Sequence, residues 1–145
     1  MRVDFYQLSR DPVEQVLPQI AARVLDEGQR LLVVSAHTDQ LSRISAGLWA
    51  AGPESFLAND HADAPLPDVQ PILLSSACDP VNGASRVALV DGTFRDEALR
   101  FDRAFYFFDG ETIEAARASW RALSKRDEIE TFFWRQDGGR WRQGP

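Results

Sequence analysis

Apolar positions along the chain change between two spacings, and this pattern predicts strands and helices in alternation. Residues 3–8 (VDFYQL) and Leu31–Val34 (LLVV) predict strands, and the second run is apolar throughout, as is typical of a parallel strand covered on both faces. Asp11-Pro12 followed by Glu14 predicts a helix start with a capping box. Apolar residues at three- and four-residue spacing then predict a helix ending near Gly28, on Val13, Val16, Leu17, Ile20, Val24 and Leu25.

The alternation continues to the end of the chain. A second helix carries Leu41, Ile44, Leu48 and Trp49 and ends at Gly52-Pro53, and residues 59–69, rich in Asp, Ala and Pro, predict a surface loop. Further strands are predicted at 72–74, 87–90, 104–108 and 129–135, and helices at 94–99 and 111–125. We therefore expect a single α/β domain over residues 1–145, with a mostly parallel central sheet flanked by helices. The pattern leaves open whether residues 142–145 form a disordered tail.

Charge narrows the classes of function. The chain carries 16 Lys and Arg against 22 Asp and Glu, a net charge of -6, but residues 115–145 hold 7 basic residues against 4 acidic ones. An acidic body argues against strong direct binding to nucleic acid, and a small basic patch suits a short acidic ligand. The single cysteine, Cys78, and the lack of a long apolar run lead us to expect a cytoplasmic protein with no disulfide and no membrane span.

Signals for catalysis are weak. The segment after the first strand, Ser9-Arg10-Asp11-Pro12, has no phosphate-cradling glycine, which argues against a nucleotide-binding loop. A small nucleotide-binding or hydrolytic enzyme using Asp4, His37 and Asp39 is the alternative, although His37 fits a helix cap better. We expect no catalytic, cofactor or metal site: Asp60, His61 and Asp63 fit a solvated loop better than a metal site.

A binding signal lies in the predicted helix at 111–125. Arg117, Arg121 and Lys125 are spaced four residues apart and would form one cationic stripe with Trp120 at its edge. Such a stripe suits a peptide with acidic and apolar residues. The alternative, which the spacing alone favours, is that Arg117 pairs with Glu114, that Lys125 and Arg126 complement the helix end, and that Trp120 is core.

A second aromatic group comprises Trp49, Phe56 and Leu57 at the end of the second predicted helix. These side chains either close the core or form a partner surface, because Trp and Phe are common in both.

The order of motifs resembles the chi subunit family of bacterial DNA polymerase III over nearly the whole chain. The segment from Ala115 through Arg121 (AARASWR) is the most specific of them. The other pieces are Phe5-Tyr6-x-Leu8, Leu48-Trp49 with Ser55-Phe56-Leu57, residues 71–74 (PILL), Asn82-Gly83-Ala84, Arg103 before an apolar strand, residues 133–136 (FWRQ), and Gly139-Arg140-Trp141.

The resemblance implies a non-enzymatic replisome adaptor with a Rossmann-like topology that lacks the phosphate-binding loop. It implies binding to the acidic, phenylalanine-terminated C-terminal tail of single-stranded DNA-binding protein, and a bridge to the clamp loader through the psi subunit. Arg117, Trp120 and Arg121 match the positions that receive the tail, and helical spacing adds Lys125. Trp49, Phe56 and Leu57 match the region that faces psi.

Overall fold

The computed structural model describes residues 1–51, 57–137 and 140–144, which form one sheet and its covering helices. Two 3₁₀ segments, Pro67–Val69 and Asp96–Arg100, lie between the regular elements. In chain order those elements are β1 (Arg2–Gln7), α1 (Val13–Asp26), β2 (Leu31–Val34), α2 (Thr38–Trp49), β3 (Asn59–His61), β4 (Ile72–Ser75), β5 (Arg86–Leu89), β6 (Arg103–Phe108), α3 (Ile113–Leu123), β7 (Glu130–Asp137) and β8 (Arg140–Gln143).

The sheet confirms the predicted α/β class. Its order within the described residues is β3-β4-β2-β5-β6-β1-β7-β8, and neighbouring strands are parallel except for β7 and β8. The wholly apolar β2 lies between β4 and β5 and is buried along its whole length, as a strand covered on both faces must be.

Helices cover both faces of the sheet. Side chains alternate along each strand, so Tyr6 of β1 packs in the core beneath α1 and α2, whereas Phe5 packs in the core beneath α3. Residues Arg2, Asp4 and Tyr6 therefore share one face of β1, and Val3 and Phe5 share the other. This division places two different surfaces on opposite sides of the same strand.

The start of α1 differs from the predicted capping box. Pro12 occupies the N-cap position, and no side chain caps the helix. The Asp11 carboxylate instead accepts a hydrogen bond from Nε2 of Gln136 on β7 at 2.8 Å, and Oε1 of Gln136 accepts from the backbone nitrogens of Ser9, Arg10 and Asp11. A residue 125 positions away thus binds the loop after β1, where a nucleotide-binding fold would place glycines.

The crossing of α1 and α2 depends on a proline and a glycine. Helix α1 continues across Pro18, which has no N–H to offer the Glu14 carbonyl one turn earlier. Gly47 of α2 lies against that carbonyl, because a Cβ built on Gly47 would be 3.0 Å from the Glu14 oxygen. The missing side chain therefore lets the two helix backbones approach closely.

Part of the predicted loop at 59–69 is an edge strand. Residues Asn59–His61 pair in parallel with β4. The buried Asn59 accepts a hydrogen bond from Ser45 Oγ at 2.6 Å and donates one to the Leu57 carbonyl at 2.9 Å. A strand with polar side chains is stable here because the oxygen and the nitrogen of its buried amide each have a hydrogen-bond partner.

The C-terminal region also differs from the sequence prediction. The strand predicted to be last is followed by β8, which pairs antiparallel with β7. Arg142 lies in that strand, and its Nε is 2.8 Å from Asp137 Oδ2. Residues 142 and 143 are therefore part of the sheet, and Pro145 is outside the described residues.

None of the helices in the described parts of the chain is long and apolar enough to cross a bilayer.

The Gly47 contact generates a stability prediction. In an open helix Gly→Ala stabilises by about 1 kcal/mol, but at Gly47 the new methyl group would push against backbone. We expect Gly47→Ala to lower the free energy of unfolding by about 1 kcal/mol, since overpacking of this kind costs about 1–3 kcal/mol. Chemical denaturation measures the change. Gly110→Ala is the control, because a Cβ there meets nothing within 4 Å; equal stabilisation by both substitutions would contradict the prediction.

Candidate functional site

The candidate site is a pocket of about 190 Å³ between α3 and the strands beneath it. Ala116 and Leu123 fix α3 against the sheet, where both are buried, and this leaves the helix face with Arg117 and Arg121 exposed to solvent. The pocket is lined by Gln7, Ile113, Arg117, Trp120, Arg121 and Phe133.

Aromatic rings form the floor of the pocket. The half-buried Trp120 meets Phe5 edge-on at 5.1 Å between ring centroids and Phe133 at 5.5 Å, with interplanar angles of 83° and 88°. Phe5 and Phe133 are themselves nearly parallel at 6.4 Å. Because edge-to-face contacts on two sides define the orientation of the indole, the apolar surface that it offers is fixed before any ligand binds.

Arginines form the rim. Arg117 Nη1 donates to Glu114 Oε1 at 2.8 Å, as the alternative interpretation of this helix predicted, but both side chains are more than half exposed. Exposed pairs of this kind contribute less than about 1 kcal/mol, so the Arg117 guanidinium is free to exchange partners. Arg121 forms no ion pair with the described residues. The two alternatives for the helix thus coexist: Trp120 is partly core and also lines the pocket.

Lys125 does not line this pocket, and the helical spacing on which its assignment rested does not reach it. Helix α3 ends at Leu123, Ser124 is the C-cap and its hydroxyl donates to the Trp120 carbonyl, and Lys125 follows in a turn. The four-residue spacing holds only within a helix, and the polar run after Leu123 has no apolar residue to pack on the sheet. Arg126, predicted to complement the helix end, pairs with Glu128 instead, at 2.6 Å.

The second predicted surface is only partly exposed. Trp49, the last residue of α2, is 61% exposed, which is unusual for an indole on an amphipathic helix. Leu57 is 3% exposed and packs in the core beneath α1 and α2, so it is not a surface residue of the isolated chain. Phe56 lies outside the described residues.

Of the three residues of the enzymatic alternative, Asp4 lies apart from His37 and Asp39. His37 and Asp39 line a cleft of about 370 Å³ at the carboxyl edge of the sheet, with Asp91, Asp109 and Thr112. His37 is the N-cap of α2 as predicted, although its side chain makes no capping hydrogen bond. Asp4 is not part of that cleft, and the described residues contain no group of three or more His, Cys, Asp or Glu side chains that could hold a metal.

Asp4 is engaged elsewhere, in a buried network of charges. Its side chain is fully buried and accepts hydrogen bonds from Arg2 Nη2 at 2.9 Å, Arg103 Nε at 2.7 Å and Trp134 Nε1 at 3.0 Å. A carboxylate held by two guanidinium groups and an indole has no free lone pair suited to proton abstraction. The geometry makes Asp4 a structural group that joins β1, β6 and β7.

The carboxylate that organises the His37 cleft is Asp91. It accepts from Arg95 Nη2 at 2.7 Å and from the backbone nitrogen of Ala36 at 2.9 Å. Burial acts to raise the pKa of Asp91, but the hydrogen bonds from Arg95, Ala36 and Thr93 outweigh it and hold that pKa below its usual range. For Cys78, burial and then nearby Glu97 raise the pKa of the half-buried thiol, which disfavours a nucleophilic thiolate.

A family model described as DNA polymerase III chi subunit, HolC, matches residues 1–130. The chain belongs to the DNA polymerase III chi subunit family. This confirms the resemblance, and the chi family is a family of non-catalytic DNA polymerase III subunits. The three α-helices of the described residues lie within the matched range, whereas Trp134 and β8 lie beyond it.

The chain was also compared with curated proteins and with solved structures. No curated protein matches the chain. Among solved structures, the C-terminal domain of a Sulfolobus solfataricus SWI2/SNF2 ATPase is similar at 13% identity and a TM-score of 0.47, over 76% of this chain and 57% of that one. The chain thus spans little more than half of that structure.

Two residues that line the pocket of this chi-family chain, Gln7 and Phe133, were not predicted from the sequence. Phe133 was included in a family motif but not assigned to the pocket, and Gln7 was read only as a strand residue. Both become pocket residues because β1 lies beside β7 in the sheet, where Phe5 is paired with Phe133. The β-branched and aromatic residues in residues 129–135 were the available signal for a strand, but they do not say which strand is its neighbour.

The Asp91 network generates a pH prediction. A carboxylate with a lowered folded-state pKa contributes stability above the unfolded pKa, about 4 for Asp, and that stability is lost as the pH falls through the folded value. We expect Asp91→Asn to be less stable than the parent chain at neutral pH and to lose less stability on acidification. Urea unfolding at a series of pH values measures both. Asp39→Asn, at an exposed residue of the same cleft, is the control, and identical acid slopes for Asp91→Asn and the parent would contradict the prediction.

Proposed function

We propose that this chain is a replisome adaptor that binds the acidic C-terminal tail of single-stranded DNA-binding protein in the pocket beside α3. The observation that carries the proposal is the combination of a fixed aromatic floor with two arginines at its rim. Family membership supports the same conclusion, because chi subunits belong to the DNA polymerase III assembly.

The chemistry of the pocket fits a peptide that ends in an aromatic residue. A terminal phenylalanine would bury its ring against Trp120 and Phe133, and its carboxylate would lie near the rim. Arg117 and Arg121 can each bind a carboxylate through two parallel hydrogen bonds. Arg121 would bind the terminal carboxylate, and Arg117 would leave Glu114 to bind an acidic side chain of the tail.

The second part of the proposal concerns the link to the clamp loader. Trp49 is the exposed aromatic residue at the end of α2, and a tryptophan that is desolvated on binding is typical of an interface centre. We assign this surface to the psi subunit. Leu57 would support the surface from the core beneath α1 and α2 without touching the partner directly.

The two assignments use different elements. The tail pocket is built on α3 with β1 and β7, whereas Trp49 ends α2 on the other face of the sheet. One chain could therefore hold both partners at once, as a bridge requires.

Calorimetric titration with an acidic peptide ending in Pro-Phe tests tail binding. We expect a micromolar dissociation constant, on the order of -8 kcal/mol, that weakens with salt because the charges are exposed. Arg121→Glu should weaken binding about tenfold or more, since a hydrogen bond to a charged group contributes about 1.5–3 kcal/mol.

Controls separate this outcome from a general charge effect. Arg100→Glu makes the same charge change at an exposed arginine outside the pocket and should leave the affinity nearly unchanged. A peptide without the terminal phenylalanine should bind poorly. Equal affinity of the parent chain and Arg121→Glu would sink the tail assignment.

Binding of the psi subunit from the same organism tests the Trp49 surface. We expect Trp49→Ala to weaken the complex by about 2 kcal/mol or more while leaving thermal unfolding of the free chain unchanged, because the side chain is exposed. Leu66→Ala is the matched control, at a residue that is equally exposed, 61%. Loss of psi binding in both variants, or in neither, would argue against a specific role for Trp49.

A further inference from the structure

A second pocket, of about 520 Å³, opens on the opposite face of the sheet from the tail pocket. Helix α1 forms one wall, and β1, β6, β7 and β8 supply the rest. Four arginines line it: Arg2, Arg23, Arg103 and Arg140. We call it the arginine pocket.

Two of these arginines are held rigidly. Arg2 and Arg103 both donate to the buried Asp4 carboxylate, through Arg2 Nε and Nη2 and through Arg103 Nε. Each guanidinium also lies over an aromatic ring, Arg2 at 4.0 Å from the Phe132 centroid and Arg103 at 4.7 Å from that of Phe105. Ion pairing together with stacking orders the side chains in advance, so little rotamer entropy is lost when their remaining N–H groups bind a ligand.

The pocket carries an uncompensated positive charge. Arg23 and Arg140 are exposed and form no ion pair among the described residues. The described lining includes no carboxylate, and the one bound by its arginines is Asp4, which pairs with Arg2 and Arg103. Glu27 lines the adjoining cavity and pairs with Arg86. The local formal charge is therefore +3 on a chain whose net charge is -6. A local positive charge of this size on an acidic chain favours a ligand with more than one negative charge.

Aromatic side chains form the remaining surface. Tyr6 stacks with Trp134 at 6.5 Å between centroids, and it meets Trp141 edge-on at 5.0 Å. Both indoles are half-buried and retain exposed surface beside the arginines. Burial, and then Asp4, raise the pKa of Tyr6, so its phenol keeps the proton needed to donate a hydrogen bond to an anion.

We propose that the arginine pocket binds a nucleoside phosphate, either as a free nucleotide or as the phosphorylated end of a single strand. Fixed guanidinium groups match phosphate oxygens in pairs, and the indoles offer planar surface for a base. A strand end is favoured over a long stretch of nucleic acid because the rest of the surface is acidic. The site shares no lining residue with the tail pocket, and Trp134, Arg140 and Trp141 lie beyond residues 1–130, the range that the chi family model matches.

Titration of the full chain with four probes tests the proposal: a nucleoside monophosphate, the same nucleoside, inorganic phosphate, and a short single-stranded oligonucleotide with a 5′-phosphate. We expect the nucleotide to bind, more tightly than either the nucleoside or phosphate, and with an affinity that falls as salt increases. Oligonucleotide binding at least tenfold tighter than nucleotide binding identifies a strand end as the source, and similar affinities identify the free nucleotide.

Substitutions locate the binding. Arg23→Glu and Arg140→Glu should each weaken nucleotide binding tenfold or more, while Arg100→Glu and Arg121→Glu should not. All four residues are exposed, so the variants should fold, which thermal unfolding checks. Trp141→Leu should weaken binding of the nucleotide but not of inorganic phosphate.

Other outcomes would overturn the proposal. These are the absence of nucleotide binding by the parent chain, and nucleotide binding that is equally strong in Arg23→Glu and Arg140→Glu. A third such outcome concerns the acidic peptide that ends in Pro-Phe. If Arg23→Glu abolishes binding of this peptide and Arg121→Glu does not, the arginine pocket is a peptide site. If Arg121→Glu binds the tail peptide as the parent chain does, and Arg23→Glu loses nucleotide binding, the tail assignment is wrong and the nucleotide proposal is supported.

Discussion

The buried carboxylate of Asp4 is the interaction on which the centre of this molecule depends. An uncompensated charge in a protein interior costs several kcal/mol, so Asp4 can remain in the sheet only while Arg2, Arg103 and Trp134 bind it. These partners come from β1, β6 and β7, and all must be in register for the network to close. The Asp4 network therefore favours one register of β1 against β6 and β7, which their apolar side chains alone would specify less strongly.

That alignment determines both pockets, because side chains alternate between faces. On β1, Asp4 points to the α1 side and Phe5 to the α3 side; on β7, Trp134 and Phe133 do the same. The network that orders the arginines on one face therefore also sets the aromatic floor beneath Trp120 on the other. A change at Asp4 would disturb two surfaces that share no lining residue.

The elements predicted correctly from the sequence are those whose conformation depends on the residues of the element itself. Leu31–Val34 reads as a buried strand and α1 as an amphipathic helix because their apolar periods are local properties. The predictions were wrong where the local conformation depends on a residue distant in sequence. Gln136 binds Asp11, so the capping box does not form. Ser45 binds the buried Asn59, which allows the polar segment to form β3. Arg117, Trp120 and Arg121 were predicted together because one helix carries them, whereas Lys125 was added because the helix was predicted to end at residue 125, two residues beyond Leu123.

The position of β1 has a consequence for how the chain acquires its structure during synthesis. The strand lies between β6 and β7, and the contacts that Asp4 makes with Arg103 and Trp134 span 99 and 130 residues of chain. A ribosome releases β1 before β6 and β7, so the strand finds no sheet partner until β6 has emerged. Contacts this distant in sequence slow folding, because the intervening chain must be ordered before they form. The nascent β1, with Phe5 and Tyr6 uncovered, must therefore stay unpaired while β2 to β5 are made, and the central part of the sheet closes around β1 only afterwards.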